Sequence, residues 1–552
     1  MKASDLFVRC LEAEGVERIF GVPGEENADL MLSLEDSRID FILCRHEQAA
    51  AFMADAYGRL TGKAGVCLST LGPGATNLVT GLADANMDRA PVVAIIGQGS
   101  TRRLHKESHP NMDAIGMMEP ISKWAQTVWS GETVPEIVRK AFKIAETEKP
   151  GVTVIELPED VAKEDVDRHV MAPTVTRRPA ADHKAVRAAI DAIEQATNPI
   201  ILAGNGALRK RAAKQLRRFA RKTGIPVVNT FMGKGAVAMS DPHCLFTMGL
   251  QGRDHVNKAF EKSDTVITVG YDLVEIAPVF WNPDCDKTII HIDFMPAEID
   301  MDYPVMVDVV SDLADALWQI NEGLNARFEG KLPLYDINDW AELRQTIVDD
   351  LAAEKDDDSF PMKPQRIIND VRSFLAPEDI VLSDVGAHKM WIARYYQCEE
   401  TNTCLISNGF CSMGFALPGA MGAQFAAPDS RVLAICGDAG FLMNVQDLET
   451  AVRIGSKMVI MVWIDGEYGL IKWKQQTHFD GKHSDLAFNN PDFEMLAKSF
   501  GMWGKVVDGP GQITAALEEA FAQDGPALIG VPVDYAENQK LTKRLGEIEV
   551  TI

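Results

Sequence analysis

The stretch RVLAICGDAG, residues 431–440, decides the fold of the C-terminal third of the chain. Its apolar run ends at Gly437-Asp438-Ala439-Gly440, and a second run, MVIMVWI at 458–464, ends at Asp465, 27 residues after Asp438. Short apolar runs that end in glycine-containing turns predict strands of a parallel α/β sheet. Because open α/β sheets bind ligands at the carboxyl ends of their strands, we expect Asp438 and Asp465 to share one site.

Two carboxylates beside a short glycine-rich loop favour a divalent cation that bridges the phosphates of a ligand. Mg²⁺ and Ca²⁺ prefer oxygen ligands, and Mg²⁺ usually completes its coordination with phosphate and water. Backbone N–H groups of residues 437–440 can also approach a diphosphate closely. The alternative is an ordinary strand-to-helix turn with Asp465 as a helix N-cap, and the tetrapeptide alone does not separate the two interpretations.

The same alternation of apolar strands and amphipathic helices extends over the rest of the chain. It predicts an α/β protein of three doubly wound parallel-sheet domains, in which the first and third units look alike. Polar, proline-bearing segments near 165–185 and 352–364 separate the units. The predicted domains are residues 1–165, 186–345 and 365–535, followed by a C-terminal tail at 536–552.

Composition limits the class of protein further. The 552 residues include 55 Lys and Arg against 80 Asp and Glu, and a net charge of −25 argues against a broad nucleic-acid-binding surface. Nine cysteines without a CxxC pair argue against a zinc site or a disulfide framework. The N-terminus lacks a secretory apolar core and no run of 18 apolar residues occurs, so we expect a cytoplasmic protein that does not contact a membrane.

A third carboxylate stands out near the N-terminus. Glu47 lies in RHEQAAAFMADAYGR, residues 45–59, where it follows the apolar run DFILC and opens an alanine-rich helix. Its apolar surroundings favour the protonated, hydrogen-bonding form. Taken alone, an acidic residue in the first turn of a helix only complements the helix dipole.

Together, RHEQAA and GDAG with its downstream Asp465 resemble the motifs of thiamine diphosphate enzymes. The resemblance implies a pyrimidine-binding first domain, a central Rossmann-like domain and a diphosphate-binding third domain. It implies that Glu47 contacts the aminopyrimidine ring and activates the cofactor, and that Mg²⁺ is held by Asp438, Asp465 and the main-chain carbonyl of Glu467. The chain departs from the pattern at Ala439, where the family has Gly, and at Asp465, where many members have Asn; both changes are chemically mild.

The resemblance implies further cofactor contacts in both outer domains. In the first domain these are Pro23, Thr70, Gly74 and Asn77. In the third domain they are Gly386, Ala387, His388, Cys411, Met413, Gly437, Ala439, Gly440, Tyr468, Gly469 and Leu470. Met413 takes the position of the bulky apolar residue that supports the bent cofactor. Without the resemblance, the same residues are typical of βα turns, a capping histidine and a gap-filling methionine.

Over essentially its whole length, the chain is most similar to the large, catalytic subunits of acetolactate synthases of the catabolic, flavin-independent type. The segments that carry this similarity are GYDLVE (270–275), WIARYY (391–396) and PVDYAEN (532–538). The Arg-Phe-Asp-Asp-Arg motif of flavin-dependent members is absent where YDLVE stands. GNGALRKR (204–211) lacks the rest of a dinucleotide fingerprint. We therefore expect thiamine diphosphate and Mg²⁺ as cofactors, without FAD.

The implied reaction decarboxylates pyruvate and transfers the remaining two-carbon unit to a second pyruvate or to 2-oxobutyrate, which gives 2-acetolactate and CO₂. His109 and Lys123 are predicted to receive the substrate carboxylate or to relay protons. Trp473 and His478 are predicted to shape the acceptor pocket.

Other functions stay open at this stage. Pro110 stands where the matching synthases have glutamine, which leaves a 2-oxoacid decarboxylase or a carboligase with another donor or acceptor as the alternative. A thiamine-binding subunit without turnover is a third reading, and the intact Glu47, Asp438 and Asp465 argue against it. A nucleotide-dependent enzyme would need a GxxxxGK[ST] loop, which is absent.

The resemblance also implies an assembly. In the family the cofactor lies between the first domain of one subunit and the third domain of another. We therefore expect a homodimer or homotetramer with its sites at a subunit interface, and no need for a regulatory subunit.

Overall fold

A computed structural model describes residues 1–106, 112–174, 177–249 and 255–538. These residues form three six-stranded sheets in which the paired strands are parallel. The predicted α/β class with three parallel sheets is confirmed. No helix of the described ranges has the length and apolarity that a membrane crossing requires.

The first sheet has the strand order β2-β1-β3-β4-β6-β5. Its strands are β1 (Arg18–Gly21), β2 (Asp40–Leu43), β3 (Gly65–Ser69), β4 (Val92–Gln98), β5 (Trp124–Thr127) and β6 (Val152–Pro158). The helices around it are α1 (Ala3–Ala13), α2 (Ala28–Glu35), α3 (Glu47–Thr61), α4 (Pro73–Met87), α5 (Ala114–Met118), α6 (Val134–Glu146) and α7 (Glu159–Ala162).

The central sheet has the order β12-β11-β10-β7-β8-β9. Its strands are β7 (Pro199–Ala203), β8 (Val227–Asn229), β9 (Cys244–Thr247), β10 (Thr265–Val269), β11 (Thr288–Asp293) and β12 (Val305–Val310). The helices of this unit are α8 (His183–Gln195), α9 (Lys210–Thr223), α10 (Asn257–Lys262), α11 (Leu313–Arg327) and α12 (Ala341–Ala352). Helices α8 and α12 extend beyond the predicted domain limits of 186 and 345.

The third sheet has the order β14-β13-β15-β16-β18-β17. Its strands are β13 (Ile380–Ser383), β14 (Cys404–Ile406), β15 (Val432–Gly437), β16 (Val459–Ile464), β17 (Trp503–Val506) and β18 (Ala527–Pro532). The helices are α13 (Pro364–Phe374), α14 (Ala387–Tyr395), α15 (Ala416–Ala426), α16 (Asp438–Met443), α17 (Leu448–Arg453), α18 (Gly469–His478), α19 (Phe493–Ser499) and α20 (Ile513–Phe521).

The two outer sheets share one topology. When the strands are counted within each unit, both sheets have the order 2-1-3-4-6-5, whereas the central sheet has the dinucleotide-fold order 6-5-4-1-2-3. In each outer sheet the chain moves from its first strand to one side and then returns to the other side with its third strand. The crevice between the carboxyl ends of these two strands is the topological switch point, where open sheets bind ligands.

Helix α3 joins the two outer domains within one chain, and its small side chains allow close packing on both sides. A Cβ at Gly422 of α15 would lie 2.2 Å from the carbonyl oxygen of Met53. A Cβ at Gly81 of α4 would lie 2.5 Å from the Cβ of Ala51. The alanine-rich sequence after Glu47 is therefore a consequence of helix packing against α4 and α15.

Three carboxylates, of Asp55, Asp84 and Asp88, are buried at this junction beside the guanidinium of Arg59. Arg59 Nη1 lies 3.2 Å from Asp88 Oδ2, and the Ser407 hydroxyl donates to Asp84 Oδ1 at 2.7 Å. Neither carboxylate oxygen of Asp55 has a hydrogen-bond partner among the described atoms. Burial raises the pKa of Asp55 to about 7, and the negative charge of Asp88 adds to the increase while Arg59 opposes it.

Replacing Asp55 with Asn is expected to stabilise the protein at alkaline pH. Between the ordinary pKa of 3.8 and about 7, the folded state holds a proton that the unfolded state has released. The free energy of unfolding therefore falls as pH rises through this window, with a limiting slope of about 1.4 kcal/mol per pH unit. Midpoints of thermal unfolding at pH 5 and pH 8 measure the effect.

The midpoint should fall less between these two pH values in Asp55→Asn than in the wild type. Asp167→Asn, at an exposed site in the segment that follows the same domain, is the control and should behave as the wild type. Equal decreases in Asp55→Asn and the wild type would contradict the prediction.

Candidate active site

A cavity of about 230 Å³ opens at the switch point of the third sheet. Its walls are built by the loops that follow β13, β15 and β16, together with residues from the segment between β14 and α15. The structure brings together all 14 residues predicted for the third domain. They are Gly386, Ala387, His388, Cys411, Met413, Gly437, Asp438, Ala439, Gly440, Asp465, Glu467, Tyr468, Gly469 and Leu470.

Asp438 is fixed at the centre of this cavity wall by hydrogen bonds to both of its carboxylate oxygens. Its Oδ2 accepts the backbone N–H groups of Asp465 at 3.2 Å and Gly466 at 2.8 Å, and the Asn490 Nδ2 at 2.7 Å. Its Oδ1 accepts the N–H of Ala439 at 2.9 Å. Four donors hold the side chain between the ends of β15 and β16, which pair as neighbours in the sheet.

Asp465 and Asp438 form a carboxylate pair at the ends of β16 and β15. Burial raises the pKa of Asp465 to about 8, and the adjacent charge of Asp438 adds to the increase. Within the described ranges no three His, Cys, Asp or Glu side chains meet as a ligand set, so a cation here would also need other oxygens. The Glu467 side chain pairs with Lys472, whereas its carbonyl accepts the N–H of Gly469 at 2.9 Å.

Glycine and histidine shape the opposite wall. A Cβ at Gly386 would lie 2.7 Å from the His388 ring, and one at Gly437 would lie 3.1 Å from it. Burial lowers the pKa of His388 to about 3, so the imidazole is neutral. Its Nε2 is buried and has no hydrogen-bond partner among the described atoms. A neutral ring nitrogen, the first-turn amides of α14 and the carboxylate pair fit a diphosphate with its metal ion.

Glu47 belongs to a second group of side chains, in the first domain. Its Oε2 accepts a hydrogen bond from Asn77 Nδ2 at 2.9 Å, and the residue is 8% exposed. A Cβ at Gly74 would lie 3.3 Å from Glu47 Oε1 and 3.0 Å from Thr70 Cγ2. Glycine at position 74 therefore keeps one side of the Glu47 carboxylate open.

Pro23 and Thr70 lie at the switch point of the same sheet, after β1 and β3. A Cβ at Gly24, which follows Pro23, would lie 2.3 Å from the Cβ of Thr70. The Thr70 hydroxyl donates to Glu26 Oε2 at 2.7 Å. The structure thus assembles the predicted first-domain residues into one group, as it does those of the third domain.

The two groups are separate within one chain. Among the described residues, none from the first domain lines the cavity of the third domain. The volume of that cavity also lies below the range of roughly 300–1,000 Å³ that is typical of complete small-molecule sites. The third domain of a single chain therefore offers only part of a site.

Lys123 lies apart from the group of side chains around Glu47. It precedes β5 and so lies at the amino edge of the first sheet, opposite the edge that carries Thr70 and Pro23. Its ammonium donates to the carbonyl oxygens of Ile144 at 2.6 Å, Thr147 at 2.7 Å and Lys149 at 2.7 Å, and burial lowers its pKa to about 8. Within the chain, Lys123 therefore caps the C-terminal end of α6, and the predicted contact with substrate stays a prediction. His109 and Pro110 lie outside the described residues.

Trp473 lines a neighbouring cavity of about 460 Å³, which shares Asp465, Glu467 and Tyr535 with the first. This position agrees with the predicted role of Trp473 near the mouth of the site. His478 is exposed at the end of α18 and lines neither of these two cavities.

Asn490 and Tyr535 are site residues that the sequence analysis missed. Asn490 lies in an irregular segment between α18 and α19, 52 residues after the Asp438 that it contacts. Tyr535 follows β18 and lines both cavities. Asn490 belongs to no segment quoted above. Tyr535 lies within PVDYAEN (532–538), and its position at the carboxyl edge after β18 is the signal that could have indicated it.

Comparisons with protein families define the class. Residues 1–117 match the N-terminal TPP binding domain of thiamine pyrophosphate enzymes, residues 186–320 match their central domain, and residues 384–531 match their C-terminal TPP binding domain. The protein is therefore an enzyme that depends on thiamine diphosphate, the same compound as thiamine pyrophosphate.

Comparisons with individual proteins narrow the class. Acetolactate synthase of Bacillus subtilis is 35% identical and aligns over 100% of this chain and 97% of its own length. The catabolic acetolactate synthase of Raoultella terrigena is 34% identical over 98% and 97%. A probable acetolactate synthase large subunit of Methanococcus aeolicus is 34% identical over 97% and 92%. The chain belongs to the thiamine diphosphate-dependent acetolactate synthase family, whose enzymes are carboligases.

Proposed function

We propose that the protein is an acetolactate synthase that uses Mg²⁺ and two molecules of pyruvate to form 2-acetolactate and CO₂. The observation that carries the proposal is the third-domain cavity, in which the Asp438 and Asp465 carboxylates face the neutral His388 and the glycine loops. These groups suit a magnesium diphosphate. Full-length similarity to enzymes named acetolactate synthase supports the choice of reaction.

Thiamine diphosphate, when bound, supplies a carbanion that adds to the ketone of a 2-oxoacid and an electron sink for the departure of CO₂. Asp438, Asp465 and the Glu467 carbonyl would hold the metal ion. His388 and the amides at residues 386–388 would bind diphosphate oxygens. Met413 would support the bound cofactor. The next residue, Gly414, has a φ of +88°, and its carbonyl accepts a hydrogen bond from Asn444 Nδ2 at 2.8 Å. A Cβ at position 414 would lie only 2.8 Å from the same amide nitrogen, so this close approach requires glycine.

Glu47 holds and moves a proton at the aminopyrimidine ring. Asn77 fixes one carboxylate oxygen, and Gly74 keeps the other accessible, so the acid presents a single oxygen to a ring nitrogen. Burial under α4 excludes water from this contact, which strengthens the hydrogen bond.

The test is incubation of the purified protein with thiamine diphosphate, Mg²⁺ and pyruvate alone, with CO₂ and acetolactate measured together. We expect one CO₂ and one acetolactate for every two pyruvates consumed. Release of CO₂ with acetaldehyde and without acetolactate would instead establish a 2-oxoacid decarboxylase, the alternative that Pro110 leaves open. Turnover of another 2-oxoacid, without turnover of pyruvate, would identify that acid as the donor substrate.

We also propose that two copies of the chain complete each site, with Glu47 from one copy and Asp438 from the other. The separation of the two groups in one chain supports this arrangement. A mixed dimer of Glu47→Gln and Asp438→Ala subunits, purified through two different tags, tests it. One of its two sites then has both residues intact, so we expect about half the wild-type activity, although each variant alone is inactive. An inactive mixed dimer would overturn the shared site.

We propose further that the central domain needs no flavin. The Glu275 carboxylate accepts the N–H of Asn205 at 3.0 Å through Oε1 and at 3.1 Å through Oε2. It also accepts the Asp272 N–H at 3.0 Å and the Thr230 hydroxyl at 2.5 Å, and burial raises its pKa to about 7. In a Rossmann fold, a backbone amide in the turn after the first strand binds the dinucleotide phosphate. Here the amide in that turn, of Asn205 after β7, already donates to the Glu275 carboxylate. After incubation with FAD and desalting, the protein should show no flavin absorbance. Its turnover of pyruvate should be the same with and without added FAD.

Replacing Asn490 with Leu is expected to weaken binding of thiamine diphosphate and Mg²⁺ by about 10- to 100-fold, which is typical for partners of metal ligands. The change removes the amide donor that orients Asp438 Oδ2 and keeps a similar volume. Calorimetric titration of the cofactor in the presence of Mg²⁺ measures the affinity without reference to activity. The exposed neighbour Asn489 provides the control variant Asn489→Leu, which should bind as the wild type does. Unchanged affinity in Asn490→Leu would contradict the prediction.

A further inference from the structure

A strongly basic cleft lies away from the active site, although the whole chain carries a net charge of −25. The cleft has a volume of about 1180 Å³ and is bounded by α9, by the end of α3 and by the turn at residues 400–402. It therefore lies where all three domains meet. Of the described residues, nine Lys and Arg side chains line the cleft, against one acidic side chain, that of Glu400.

Helix α9 supplies most of this charge. It has the sequence KRAAKQLRRFARKT, with seven cations and no acidic residue in 14 positions. Lys210, Lys214, Arg218 and Lys222 follow one another at intervals of four residues, so their like charges face each other along one stripe of the helix. Lys210 also stands in the first turn, where the helix dipole disfavours a cation. Of these four cations, only Lys222, in the last turn, complements the helix dipole.

The cations of the cleft fall into two kinds. Arg218 and Arg221 lie 2.8 Å from Glu322 and 3.2 Å from Asp241, so they are held in place by acidic partners outside the cleft. Within the described ranges, no acidic side chain lies within ion-pair distance of Lys210, Lys214 or Lys222. The guanidinium groups of Arg218 and Arg221 are held in place, and the three lysine ammonium groups remain available to bind an anion.

We propose that this cleft binds a compact polyphosphate anion. The stripe from Lys210 to Lys222 extends over about 18 Å, which is more than a single phosphate can contact. A concave cleft favours a small molecule over a flat protein surface. The acidic surface beyond the cleft disfavours an extended nucleic acid, whose remaining phosphates it would repel. Among the residues that the structure describes, the lining contains no aromatic side chain on which a base could stack, so the proposed contacts are with the phosphate groups.

The experiment titrates the full-length protein with inorganic triphosphate by calorimetry in metal-free buffer. The cleft variant is Lys210→Glu with Lys214→Glu. The matched control is Lys184→Glu with Arg187→Glu, on the exposed side of α8 in the same domain. Both pairs replace two cations with two carboxylates, so they change the net charge equally. Any binding of triphosphate to the diphosphate pocket of the third domain is common to all three proteins.

We expect one more triphosphate per chain in the wild type and the control than in the cleft variant, or an affinity lower by at least about tenfold in that variant. Binding should also weaken as salt is raised, because the contacts are ionic. Equal binding by the cleft variant and the control would overturn the proposal. A cleft variant that changes the oligomeric state and leaves triphosphate binding unaltered would overturn it too, since the cleft would then be a contact between copies of the chain.

Discussion

Glu47→Gln is expected to lower kcat for pyruvate turnover by about 10²- to 10⁴-fold, the range typical of a lost acid–base group. Glutamine has the same size, and its carbonyl oxygen can accept the hydrogen bond that Asn77 donates to Glu47. Its amide cannot deliver a proton to the aminopyrimidine ring from the side that Gly74 keeps open. Steady-state CO₂ release from pyruvate measures the loss.

Binding of thiamine diphosphate should change little in this variant, because the diphosphate and the metal ion are held by the third domain. The control is Glu35→Gln, an exposed carboxylate on α2 of the same domain, which should keep wild-type kcat. A kcat within a few-fold of the wild type in Glu47→Gln would refute the assignment of Glu47 as the activating acid.

Asp438→Ala is expected to weaken binding of the magnesium–cofactor complex by more than about 100-fold, because it removes a charged ligand and not merely a partner of one. The side chain also accepts four hydrogen bonds, so its loss leaves the N–H groups of Ala439, Asp465 and Gly466 without their acceptor. Calorimetric titration with Mg²⁺ and thiamine diphosphate gives the affinity, and circular dichroism shows whether the variant is folded.

Asp465→Asn is the informative comparison. Asparagine keeps an oxygen ligand at this position, as in many members of the family, and removes the Asp465 carboxylate, whose pKa is raised by burial and by the adjacent charge of Asp438. We expect its cofactor affinity to stay within about tenfold of the wild type. If Asp438→Ala binds as tightly as the wild type, the metal ion is held elsewhere.

Much of the site was predictable because its signals are local. The apolar run before Asp438 specifies β15, the run before Asp465 specifies β16, and parallel pairing places both carboxylates at one edge. The same argument holds for Thr70 after β3. In each case a few neighbouring residues determine both the strand and its end, so the position of the polar side chain follows from the strand itself.

The sequence by itself therefore determined the α/β class, the three sheets and the residues at the carboxyl edges of the outer two. Only the tertiary structure decided that Asn490 reaches Asp438, that Glu275 closes the turn after β7, that Lys123 caps α6 and that α9 faces a cleft. These contacts join segments whose approach depends on how helices and loops pack. Hydrophobic periodicity and strand ends are encoded over a few residues, whereas the partner of a polar side chain far along the chain is fixed only when the domains have folded and packed together.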